Sequence, residues 1–341
     1  MKINIFAIAI ILSFGSNLIA GTGVGKYAGE FMSIGVGARA LGMGGAFTAL
    51  ASDVTAGYWN PAGLSKINYP QLSLMHTEQF GSLINYDYAA VGFPFGKNSS
   101  LGVSIIRLGV DGIPDTRKAL RDENGNGVFD DTERLDYNKI TYFNAADWAI
   151  YFTYSKKSSE NFAYGANLKI IRREMSVGNA TGVGFDLGVQ YSPLDNLLLG
   201  ANFQDVTTTL VAWNTGTNEL ISPTLKIGSA YFIEVLGGRF APAFDVDVRF
   251  ENRRYASNLN LGPVSFDMHT GLEFDFKNIA AIRVGYSDIG TSNFGAGIHL
   301  PKFDIDYTFS TSKITDERFN DTHRVSIRFT FESEKFLRNF E

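Results

Sequence analysis

From about Pro70 onward, apolar and polar residues alternate along the chain in segments of roughly ten residues, the length a tilted strand needs to cross a bilayer's hydrocarbon layer. A period of two puts successive side chains on opposite faces of a strand. Val183, Phe185, Leu187, Val189 and Tyr191 share one face, against Gly184, Asp186, Gly188 and Gln190. Val264, Phe266, Met268, Thr270, Leu272 and Phe274 oppose Ser265, Asp267, His269, Gly271 and Glu273. Phe303, Ile305, Tyr307 and Phe309 likewise oppose Asp304, Asp306 and Thr308.

Fourteen such segments follow one another: 70–80, 84–96, 99–110, 143–156, 161–174, 182–192, 196–206, 223–234, 240–251, 263–275, 279–287, 292–300, 302–310 and 322–331. A soluble β-sandwich alternates too, so the weight lies on the even series and on its connections. Short connections (Gly96 to Ser99, Lys157 to Glu160, Pro193 to Asp195, Lys277 to Asn278, Pro301) alternate with longer ones, notably 111–142, 207–222, 252–262 and 311–321. That is the plan of an all-β transmembrane antiparallel barrel spanning 70–331, with short periplasmic turns and long extracellular loops. The last strand places Val325, Ile327, Phe329 and Phe331 on one face, as an outer-membrane assembly signal would, and residues 332–341 follow as a tail.

Residues 21–69 break this pattern: they are dense in Gly and Ala, with a run of small residues from Gly35 to Leu50. Small residues permit close backbone packing, and a polar lumen can satisfy irregular backbone, so the segment is expected to fold as a plug inside the barrel. Residues 1–20, with Lys2, an apolar run from Ile5 to Phe14, and Ala20 before Gly21, read as a secretory signal cleaved after Ala20. The run is too short to span a bilayer comfortably. Export and insertion in a bacterial outer membrane follow, with membrane lipid as the first partner.

Composition narrows the function. A length of 341 residues would suit two soluble domains or one closed barrel. With 36 Gly, 28 Phe and 15 Tyr but a mean hydropathy of only -0.03, the chain suits strands with one apolar and one polar face. A net charge of -5 without a basic stripe excludes nucleic acid as a partner. Cysteine is absent, which removes thiolate chemistry and disulfides. His76, His269, His299 and His323 are scattered without metal-ligand spacing, and no Gly-x-Ser-x-Gly elbow occurs. Gly21 to Lys26 lacks the spacing of a phosphate loop. The charged residues expected inside the lumen (Asp186, Asp245, Asp247, Arg249, Asp267, Glu273, Arg283, Asp304, Asp306 and Arg328) read as a network holding the plug. An enzyme is not expected.

Two motifs are specific. Gly37-Ala-Arg-Ala-Leu-Gly-Met-Gly-Gly-Ala-Phe-Thr-Ala-Leu-Ala-Ser-Asp53, followed by Tyr58-Trp-Asn-Pro-Ala-Gly-Leu64, resembles the N-terminal signature of the PorV/PorQ proteins. These are relatives of the FadL hydrophobic-compound transporters, which share the element formed here by Asn60, Pro61, Ala62, Gly63 and Leu64. The resemblance implies a fourteen-stranded barrel with an N-terminal plug. It also implies service in type IX secretion, binding secreted cargo proteins and other secretion-system components. The alternative is a FadL-like channel for hydrophobic small molecules. An enzyme acting on lipid A is a third idea by family analogy, without a catalytic constellation here.

The second motif, Asp122 to Glu133, fits a twelve-residue calcium loop. Asp122, Asn124, Asn126 and Asp130 supply oxygen side chains, Gly127 the sharp turn, Val128 a backbone carbonyl and Glu133 a bidentate carboxylate. Flanking helices are absent, so a structural Ca²⁺ that stiffens a surface loop is expected.

Overall fold

The computed structural model describes residues 29–79, 82–123, 125–127, 131, 133–176, 178–253, 257–287, 290–312 and 321–338. The proposed signal peptide, residues 1–20, lies outside them.

Fourteen antiparallel strands close a barrel. In chain order they are β1 (Gln71–Gln79), β2 (Ile84–Phe95), β3 (Ser99–Asp115), β4 (Thr141–Ser159), β5 (Phe162–Met175), β6 (Gly178–Leu194) and β7 (Leu197–Gln204). There follow β8 (Thr224–Tyr231), β9 (Gly238–Arg249), β10 (Val264–Phe276), β11 (Ala280–Tyr286), β12 (Thr291–Leu300), β13 (Phe303–Ser312) and β14 (Thr322–Thr330). Each pairs with the next, and β14 returns to β1 with a register running from Gln71↔Thr330 to Glu78↔His323. Closure is what the surroundings demand, because hydrocarbon offers an unpaired strand edge no hydrogen-bond partner.

The outer wall carries Val91, Phe93, Phe185, Leu187, Ile282 and Phe294, all exposed. Such a continuous apolar belt suits lipid and not water. Its upper limit on one side is a lateral row, His76, Asp87, Arg107, Trp148 and Arg172, in direct register across β1 to β5. No helix among the described residues is long and apolar enough to cross a membrane.

Three strands outrun their predicted ends, because β3, β4 and β6 continue beyond the belt toward the long-loop end. The segment 207–222, expected as a loop, instead forms a hairpin, 209–213 with 218–221. Its first arm pairs back onto β6, from Leu210↔Val183 to Trp213↔Ala180, and so extends the wall. A turn interrupts the line of β7 before it, where Asp205 and Thr208 take positive φ of 53° and 56°.

The lumen holds residues 29–67. Their helices α1 (Glu30–Ser33), α2 (Ala38–Gly42) and α3 (Ala56–Trp59), and a 3-10 turn at Pro61–Lys66, are too short to stand alone. Lumen-facing glycines let the plug backbone touch the wall. A Cβ on Gly285 would lie 2.1 Å from the Gly44 nitrogen, and one on Gly188 would lie 2.2 Å from the Asn60 side-chain oxygen. After β14 the chain folds back beneath the short-turn end, where the Phe331 amide donates to Pro70 O (2.9 Å) and the Arg338 amide to Asn68 O (2.9 Å).

Candidate functional site

The element Asn60 to Leu64 is the knot that fastens the plug. Asn60 leaves extended backbone to cap the 3-10 turn, its Oδ1 accepting from the Ala62 amide, while Pro61 supplies a preset φ and no amide to satisfy. The Asn60 Nδ2 donates to Thr48 O and to Val189 O, both at 3.0 Å, so one side chain ties two plug segments to β6. Gly63 is required by closeness, since a Cβ there would stand 2.1 Å from Ala51 O. Ala62 and Leu64 are buried, and the Ser155 hydroxyl of β4 donates to Ala62 O. These residues position the plug.

Across the lumen from that knot the wall is charged. Arg39 forks onto Glu273 (2.9 and 2.7 Å), Glu273 also accepts from Arg283 (2.6 Å), and Arg283 reaches Asp306 (2.7 Å). Asp53 pairs with Arg328, which also donates to Asp304. Burial pushes the Asp53 carboxyl up, but the Arg328 and Arg39 guanidiniums outweigh it and hold Asp53 below the usual carboxylate range. Asp245 accepts the Phe47 and Thr48 amides at 3.0 and 2.8 Å. Asp245, Glu273 and Arg328 thus bind plug to wall, whereas Asp186 pairs with Lys169, Asp247 with Lys226 and Arg249 with Asp267 within the wall.

One row on the opposite wall is apolar. Met75, Tyr88, Ile106, Ala149 and Ile171 occupy one inward row in direct register across β1 to β5, and the row continues through Gly182 to Val211. Ile106, Ile171 and Val211 are 0% exposed, and the plug side chains Phe31, Met32, Tyr58 and Trp59 pack into the same cluster. Barrel interiors are ordinarily polar, so an apolar row on a lumenal face marks a surface for apolar contact. Alternation concealed it. In Trp148-Ala-Ile-Tyr-Phe152 and at Ile105-Ile106 both faces are apolar, and that loss of alternation was the available signal.

Among the described residues the barrel wall has no lateral gap. Every neighbouring strand pair is laddered, including β7 with β8 through Gln204↔Thr224, and the turn at Asp205–Thr208 is flanked by the buried ion pairs of Lys169 with Asp186 and Asp205. A polar vestibule of about 720 Å³ opens at the short-turn end, lined by Arg39, Lys66, Asp275, His299 and Asp304 among others. His269 and His299 face the lumen, each donating from Nδ1, to Gly44 O (2.8 Å) and Asp304 (2.6 Å). His76 and His323 stand outside, beside Asp87 and Tyr307.

The calcium-loop segment sits at the long-loop end, where a two-residue ladder, Leu120↔Leu135 and Arg121↔Arg134, brings its ends together. The Asp122 carboxylate accepts from the amides of Gly125 (2.6 Å), Asn126 (3.1 Å) and Gly127 (2.8 Å), and Gly127 has φ of +74°. Glu133 is buried and accepts from the Glu123 amide. Asn124, Val128 and Asp130 lie outside the described residues.

No family model matches the chain, and no curated protein matches it. Solved structures do. The CymD monoaromatic hydrocarbon channel aligns over 90% of this chain and 99% of its own, at 13% identity and a TM-score of 0.59. The Ralstonia pickettii toluene transporter TbuX aligns over 87% and 99%, at 13% identity and 0.56. A Pseudomonas aeruginosa FadL homologue aligns over 91% and 99%, at 12% identity and 0.52. Likeness at such identity speaks for the fold, and the fold is that of FadL-like outer-membrane barrels.

Proposed function

We propose that this chain is a bacterial outer-membrane channel for small hydrophobic molecules, with its short-turn end in the periplasm and the plug controlling passage. The observation that carries this reading is the apolar row from Met75 to Val211 on the lumenal wall. A ring the size of a Phe side chain buries about 150–250 Å². At about 25 cal/mol per Å² that is roughly 4–6 kcal/mol before ordering costs. Contact of that strength attracts a solute and still releases it. The fold likeness to proteins titled as hydrocarbon and toluene channels supports the reading. Because Phe31, Met32 and Tyr58 cover the row, passage requires the plug to shift.

The test is uptake of radiolabelled toluene by cells carrying the wild type, Ile106→Asp or Ile171→Asp. Wild type should exceed empty cells several-fold, and each aspartate should remove most of that gain. Uptake equal to empty cells would end the reading.

Service in type IX secretion, implied by the resemblance of residues 37–64, is the second reading. The unbroken ladder favours it, since a protein that only presents loops to cargo needs no opening in its wall. Co-purification of secreted proteins from native membranes, with no toluene uptake, would be its signature.

We also propose that the loop from Asp122 to Glu133 holds a structural Ca²⁺, with Asp122, Asn124, Asn126, Asp130 and Glu133 giving side-chain oxygens and Val128 its carbonyl. The paired ends of the loop and the turn at Gly127 support this.

A further inference from the structure

The tail that follows β14 ends its described course at a buried arginine. Arg338 is 5% exposed, and its guanidinium spreads across acceptors from separate parts of the chain. One nitrogen donates to Ser65 O (3.1 Å), Ile67 O (2.6 Å) and Ser100 Oγ (2.6 Å); another donates to Ser99 O (2.6 Å) and approaches Lys97 O and Gly96 O (3.4 and 3.5 Å). Ser65 and Ile67 belong to the end of the plug, whereas residues 96–100 span the β2–β3 turn and the start of β3 in the wall. The Arg338 amide adds a bond to Asn68 O, on the linker between plug and β1. A single side chain therefore clamps the plug's exit onto the barrel rim.

We propose that Arg338 is a positioning residue, a latch by which the C-terminal strap holds the plug's last turn, Pro61–Lys66, against the short-turn mouth and so sets how readily the lumen opens. Three features favour a releasable latch over a permanent brace. The acceptors are uncharged, and no carboxylate pairs with Arg338 among the described residues. A neutral acceptor holds a guanidinium less firmly than a carboxylate would. The strap itself is short and open, with Phe336 and Leu337 46% and 40% exposed, so little packing opposes its departure. A cavity of about 440 Å³, lined by Lys66, Asn98, Phe162, Gln190 and Arg338, lies beside the turn and gives it room to move. Arginine suits this seat because two separate guanidinium nitrogens donate at once, one to the plug side and one to the turn, whereas an ammonium has a single nitrogen with three donors.

The inference adds to the channel reading, and ion conductance tests it independently, since ions report an open lumen whatever the natural cargo. A protease site inserted at residues 333–334 lets the strap be cut from the folded full-length barrel in a planar bilayer, which separates latch loss from faulty assembly. Cutting should raise conductance several-fold and speed amide exchange at Ser65 to Tyr69 about tenfold or more, while heat-modifiable gel migration stays unchanged. Arg338→Ala should match the cut form, and Arg338→Lys should fall between it and wild type. Unchanged conductance and exchange after complete cutting would overturn the latch, as would a loss of barrel stability without pore opening. If conductance rises but toluene uptake is absent, the latch stands and the channel reading falls.

Discussion

The guanidinium of Arg39, on the plug, and the carboxylate of Glu273, on β10, meet in a two-bond fork of 2.9 and 2.7 Å. Glu273 is shared with Arg283 (2.6 Å), whose side chain is fully buried. Removing the shared carboxylate strands Arg39 and leaves Arg283 with Asp306 alone, whereas removing Arg39 leaves Glu273 still paired. Glu273→Ala should therefore cost about 3–5 kcal/mol, and Arg39→Ala about 1–3 kcal/mol. Urea unfolding of the refolded barrel gives the comparison, and the reverse order would refute the network.

Acid should loosen the plug through Asp53. Its pKa is depressed in the folded state, so its contribution is complete above the ordinary carboxylate value of about 3.9 and disappears as pH falls through the lower folded value. Conductance should rise on acidification below about pH 4, where that stabilisation starts to go. Asp53→Asn should start from a looser plug and lack this step. An identical acid profile in both proteins would assign the effect to other groups.

Gly285→Val tests the close approach of plug and wall. The new side chain would start 2.1 Å from the Gly44 nitrogen and 2.3 Å from the Met43 carbonyl carbon, with backbone and no flexible side chain in its way. The barrel should still insert and stay heat-modifiable, while the plug becomes sensitive to protease. A protected plug would show that the lumen has slack which these distances deny.

Calcium should protect the Asp122 to Glu133 loop from limited proteolysis, with a midpoint on the order of 0.1–1 mM. Glu133→Ala should abolish protection without altering the barrel's unfolding, and Mg²⁺, which demands a smaller octahedral shell, should not substitute. Cleavage indifferent to Ca²⁺ up to about 10 mM, above the usual extracellular range, would return the motif to an ordinary turn-rich loop.

The barrel was legible because the membrane imposes a rule on each strand separately: apolar outward, polar or small inward. Asp186, Gly188 and Gln190 could be assigned to the lumen from their own neighbours. Where that rule lapses, so does the reading. Beyond the belt, β3 and β4 continue to Asp115 and back from Thr141 without a lipid-facing constraint, and the hairpin at 209–221 is fixed by pairing to β6. Apolar residues on both faces near Ile106 and Tyr151 left the inward face undecided. Arg338 was out of reach for another reason, since its partners at Ser65 and Ile67 stand 273 and 271 residues away and no local pattern announces them.

That separation bears on assembly. The strap follows β14, the strand that seals the ring, while its acceptors precede β1 or follow β2. Contacts so remote in sequence form late, because the chain between them must first be ordered. The clamp therefore reports completion: until β14 has found β1, Arg338 has no seat, and a half-built wall is left with an unsecured plug.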